Sequence, residues 1–156
     1  MTTTNKISES PRKFDAEELA IRQQQARWAY SQTTQSCELV RGSIPKQFLQ
    51  VVIDHASDGY LLTDYPVDTS PMSYSAQMRK PEHVQEVELK QLDEKVKTAY
   101  LSELEKELAT FKSRLVAQQL ENDEIEQQKK LEKAKAKRLA ELQREADNTY
   151  GNIIVP

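Results

Sequence analysis

Between residues 82 and 147 the chain has neither proline nor glycine, and leucines recur at helical spacing among Glu, Lys, Gln and Ala. These residue types lose least on entering a helix. Leu101, Leu104, Leu108, Phe111 and Leu115 alternate steps of three and four, the spacing of an a/d seam. Upstream, Leu89, Leu92, Val96 and Tyr100 form a second patch, with a step of four where the seam needs three, which reads as a stutter. Downstream the register meets Gln118, Asn122, Ile125 and Lys129, a poor coiled-coil core. Apolar positions then return at Leu131, Leu139, Leu142 and Ala146. The pattern predicts one long amphipathic helix over residues 82–150, whose stretch from 82 to 147 alone rises about 95–100 Å along its axis. A helical hairpin turning at Glu121, Asn122 and Asp123 is the alternative, since Asn122 and Asp123 can cap helices. No glycine or proline marks a turn there.

Residues 15–59 carry a different pattern. Asp15 with Glu18 reads as an N-cap and its capping-box acid, and Phe14 with Leu19 as a hydrophobic staple. They open a predicted helix over residues 16–31. Trp28, the one tryptophan, is expected to anchor this helix to the next, with exposure to a partner protein as the competing role. Residues 37–40 read as a brief strand or a helical extension. Gly42, Ser43, Ile44 and Pro45 form a turn, a cap and an early-helix proline. A second helix over residues 45–57 follows, apolar over more than half its circumference through Phe48, Leu49, Val51, Val52, Ile53 and Ala56. It is expected to be the most buried element, and Gly59 ends it.

Residues 60–81 hold Pro66, Pro71 and Pro81 with Tyr60, Tyr65 and Tyr74 between them. Prolines exclude a helix. The tyrosines, with large apolar faces and polar tips, suit an extended arm lying across a surface of the same chain or a neighbour. A plain linker is the bland alternative. Gly151 terminates the long helix, and the apolar residues Ile153, Ile154 and Val155 are expected to dock on a neighbour as a short strand or plug. The fold class is thus mainly α. It comprises a flexible head (1–14), a helical subdomain (15–59), an extended Pro/Tyr arm (60–81), a long coiled-coil-like helix (82–150) and an apolar tail (151–156).

Composition narrows the function. The hydrophobic fraction of 37% and aromatic fraction of 6% leave too little for one large core. The apolar stripe of a long helix must therefore be covered by another copy or another protein. A formal net charge of −3 argues against a general nucleic-acid binder. The basic run over residues 129–144 offers the one route to nucleic acid, but Glu132 and Glu141 interrupt it and no aromatic accompanies it. A single cysteine, Cys37, excludes a disulfide framework. No apolar run reaches the length of a membrane span, and the N-terminus has no apolar core of a signal peptide. The expected setting is the cytoplasm, with a virus particle as the alternative.

Chemistry-bearing residues are sparse. Asp54, His55 and Asp58 are the close acid–histidine group, and Cys37 with His55 is the conceivable nucleophile–base pair. No metal-binding, phosphate-loop or nucleophile motif frames either. The expectation is a noncatalytic protein without cofactor or metal. It self-associates or joins a multi-subunit assembly through Leu101, Leu104, Leu108, Phe111, Leu115, Leu139 and Leu142 of the long helix. Trp28, Tyr60, Tyr65, Tyr74 and the tail residues Ile153, Ile154 and Val155 add contacts. The rival reading is a regulator that sequesters an enzyme or a nucleic-acid-binding protein. Structural adaptors, scaffold subunits and virion assembly proteins share this layout.

Overall fold

The computed structural model describes residues 10–151. In order, the elements are α1 (Ala16–Gln32), a 3₁₀ turn (Thr34–Ser36), β1 (Cys37–Gly42), α2 (Pro45–Ser57), β2 (Leu61–Leu62), β3 (Asp68–Ser70), β4 (Ser73–Arg79) and α3 (Glu82–Tyr150). The architecture is mainly helical, and α3 is a single helix of 69 residues. It runs through Glu121, Asn122 and Asp123 without a break, so the hairpin alternative does not hold. Two bodies divide the contacts. One is Arg12–Glu105, and the other holds the described residues from Lys106 onward. The tail residues Ile153, Ile154 and Val155 lie outside the described residues.

Within the Arg12–Glu105 body, the expected arm is extended and much of it is paired. β4 is the central strand. β1 runs antiparallel along one edge, with Val40 opposite Ala76 and Gly42 opposite Tyr74. β2 and β3 share the other edge, with Leu62 opposite Met78 and Asp68 opposite Ser75. Period-two alternation in β4 sends Tyr74, Ala76 and Met78 to one face. There α2 covers them: the Phe48 ring stacks on Tyr74 at 6.1 Å between centroids, and Phe48, Val40, Ala76 and Met78 are all buried. Gly42 permits this approach. A Cβ there would fall 2.6 Å from Phe48 Cα, so any side chain would push α2 off the sheet.

Helix boundaries follow their sequence signals with changes in detail. Asp15 caps α1 by accepting from Glu17 N at 2.8 Å. Glu18 does not complete a capping box, because its carboxylate binds Arg22 and Tyr100 instead. Phe14 packs on Tyr100, ring centroids 5.8 Å apart. Pro45 opens α2 after an uncapped Ile44, and the Gln47 side chain reaches back to accept from Ser43 N. Gly59 leaves α2 at φ +94°, a left-handed conformation open to glycine.

The α1 face packs on the first turns of α3. Tyr100 is fully buried, and Leu104 nearly so. The Tyr100 hydroxyl accepts from Asp15 N and donates to Glu18 Oε2, both at 3.1 Å. The Arg22 guanidinium lies 4.7 Å over its ring, a cation–π contact. At the other end of α1, buried Tyr30 donates its hydroxyl to Glu88. Lys80 Nζ donates to both Glu88 oxygens at 2.8 and 3.0 Å and to Gln35 O at 3.2 Å. This knot ties the α1–β1 link to the β4–α3 link.

Candidate protein-interaction surfaces

Polar side chains hold α1 on α3 along its length. Glu103 receives Arg22 Nη1 at 2.6 Å and Arg12, and the Arg22 bond foremost, with Arg12 next, holds its carboxyl down at about 2. Asp93 receives Arg27, whose bond keeps its carboxyl below the usual range, and its backbone carbonyl accepts from Gln23 at 3.2 Å. Asp93 thus makes its ion pair across the two helices. For Glu88, burial pushes upward, but the bonds from Lys80 and Tyr30 win and its acidity is raised. Burial, with the Glu88 bond second, pushes the Tyr30 hydroxyl well above its usual range. These groups are occupied with one another. The hollow beside them, lined by Tyr30, Gln35, Glu88, Gln91, Leu92 and Lys95, measures about 230 Å³. That is below the size of an ordinary ligand cleft.

The acid–histidine group does not converge. Asp54 accepts from Gln50 at 2.9 Å, whereas the His55 Nδ1 faces Val51 O at 2.8 Å. His55 Nε2 lies 3.7 Å from Glu38, and its ring meets Tyr60 edge-on at 5.1 Å. A bond to Glu38 raises the Tyr60 hydroxyl's affinity for its proton. Cys37 is buried against Ser36, with Sγ 3.9 Å from its hydroxyl. Among the described residues no three metal-capable side chains cluster.

Three apolar surfaces remain. The first is the distal part of α3. Leu108 and Leu115 are each 41% exposed, and Leu120, Leu131, Leu139 and Leu142 are exposed too. Phe111 and Ile125 are half-buried on the same stretch. Leu104, expected on the contact seam, is instead enclosed within its own body and is not available to a partner. Leu101 stays on the exposed side. Ion pairs on the distal helix are local: Lys130 to Glu126 at 2.9 Å, which lowers the Glu126 carboxyl, and Arg138 to Glu141 at 3.6 Å.

The second surface is the outer side of α1. Trp28 is 67% exposed, with Ile21 exposed two turns earlier. Trp28 therefore does not anchor α1 to α2, because α1 turns its other side to α3. The third is α2 itself, which was expected to be the most buried element. Phe48 is its one buried residue, while Leu49, Ile53 and Ala56 face outward. One sheet can cover one side of a helix. A helix apolar over more than half its circumference must leave the rest uncovered, and that composition was the available signal for this surface. Of the arm tyrosines, half-buried Tyr74 stacks on Phe48 of α2 and Tyr60 meets His55. Tyr65 is partly exposed, its hydroxyl 3.4 Å from Gln32 O.

No protein-family model, curated protein or solved structure matches the chain. No helix among the described residues is long and apolar enough to cross a membrane.

Proposed function

We propose that the chain is a noncatalytic assembly protein that joins copies of itself into a larger structure through the distal part of α3. Its setting in this reading is the cytoplasm or a virus particle assembled there. It supplies geometry and stoichiometry, not turnover. The observation that carries this reading is the set of exposed leucines on the distal helix, Leu108, Leu115, Leu131, Leu139 and Leu142, set among acids and bases whose surface pairs are each worth little. Burying one leucine side chain contributes about 1.5–3 kcal/mol, against a few tenths for an exposed i,i+4 ion pair. Packing, not charge, is thus the term that drives association. The interleaved acids and bases of residues 129–144 then tune register, and nucleic-acid contact ranks below protein contact.

The test is Leu108→Asp combined with Leu115→Asp in the full chain, followed by sedimentation equilibrium and circular dichroism. The assembly's mass should fall by about half or more, with a loss of helicity as the distal helix frays without its partner. A mass and helicity equal to those of the unmodified chain would overturn the reading.

A further inference from the structure

The outward side of α2, in the Arg12–Glu105 body, is a second exposed apolar surface. Ile44 is 62% exposed, Leu49 59% and Ile53 56%. Leu49 and Ile53 are one i,i+4 step apart, so with Pro45 they form a single ridge along the helix. The surface continues onto the sheet. Leu62 pairs with Met78, on the face that α2 covers over β1 and β4, but Leu62 itself is 63% exposed. A monomeric protein rarely leaves contiguous apolar surface of more than a few hundred Å² open to water.

Charge beside the ridge indicates what covers it. The neighbouring i,i+4 row is Lys46, Gln50 and Asp54, basic at the start of α2 and acidic near its end. Gln50 already donates to Asp54 Oδ1 at 2.9 Å, whereas Lys46 has no ion-pair partner among the described residues. A uniformly basic partner helix would oppose Lys46, and a uniformly acidic one would oppose Asp54. A copy of α2 related by a twofold axis satisfies both ends at once, because residue i then meets j while j meets i.

We infer that the Arg12–Glu105 body pairs with a second copy of this chain through an antiparallel α2–α2 contact. Leu49 packs on the partner subunit's Ile53, and the reverse, in the ridges-into-grooves packing of two i±4 rows. Lys46 lies against the partner subunit's Asp54 on either side of the axis. The surface on α1 around Trp28 is left to other contacts.

The experiment uses the full chain carrying Leu108→Asp and Leu115→Asp, so that a result here does not depend on the distal contact. Sedimentation equilibrium of this chain should show a dimer, and adding Ile53→Asp should convert it to monomer with its near-UV circular dichroism retained, since Ile53 is on the surface. In the same background Lys46→Asp and Asp54→Lys should each weaken the dimer by about tenfold. The double variant Lys46→Asp/Asp54→Lys should recover most of that loss, which a merely structural role for either residue would not produce. A monomer before Ile53 is changed would overturn the inference, and capture of a different protein on α2 by that monomer would count with it. A dimer that survives Ile53→Asp, or a charge swap that restores nothing, would do the same.

Discussion

The first and last stretches of α3 share a helical backbone but differ in what completes them. Near its start the helix meets α1, and Tyr100 and Leu104 are enclosed by side chains of the same body. Each polar group brought along is matched: the Tyr100 hydroxyl by Asp15 and Glu18, Glu103 by Arg12 and Arg22, Asp93 by Arg27. Further along, Leu131, Leu139 and Leu142 repeat at helical spacing with nothing of the kind around them. The first stretch carries Val84, Val87, Val96, Thr98 and Tyr100, weaker helix formers than the Glu, Lys, Gln, Ala and Leu of the distal one, so propensity does not decide which one is held. Packing does, as expected when a helix draws most of its stability from an apolar face.

Substitution at the two ends should expose this difference most strongly. Tyr100→Ala removes a fully buried ring and orphans its hydrogen-bond partners, and should cost the Arg12–Glu105 body about 3–5 kcal/mol. Leu139→Ala, measured in dilute chain, should change stability by less than about 0.5 kcal/mol. Urea unfolding followed by tyrosine and tryptophan fluorescence reads the first, and far-UV circular dichroism reads the second. Equal costs at both positions would erase the distinction.

A smaller effect comes from pH. Glu103 titrates at about 2 in the folded body, below its ordinary value of 4.5, because the Arg22 and Arg12 bonds favour its charged form. Asp93 and Glu88 are lowered as well. A depressed folded value means stability that is present above the unfolded value and is lost as pH falls through the folded one. The thermal midpoint of this body should therefore hold near pH 6 and drop from about pH 4.5 toward pH 2. Arg22→Gln should flatten that slope. These carboxylates lie near the surface, so added salt should shrink the effect.

Helices were the legible part of the sequence. The Pro45 start and Gly59 stop of α2 can be read from single residues, as can Asp15 at the head of α1, because caps act within one turn. The sheet was less legible. Tyr74, Ala76 and Met78 alternate with Ser73, Ser75, Gln77 and Arg79, a period-two signal masked by the prolines and tyrosines around it. The central place of β4 depends on β1, more than thirty residues away in sequence, and a local pattern does not show such a partner. The interaction surfaces were legible as apolar stripes but not as exposed or enclosed ones. Leu104 and Leu108 look alike in the heptad, and Trp28 looks like an anchor, until α1 takes its place on α3. For α2 the surplus of apolar residues was visible, and the side left uncovered was not.

The most direct measurement of the central claim is backbone hydrogen exchange as a function of chain concentration. Amides of residues 106–150 should exchange rapidly in dilute chain and slow by at least about tenfold as it associates. The interior amides of α1, β4 and the first turns of α3 should stay slow throughout. Distal amides equally protected in dilute monomer and concentrated chain would show that the helix needs no partner, contradicting the account.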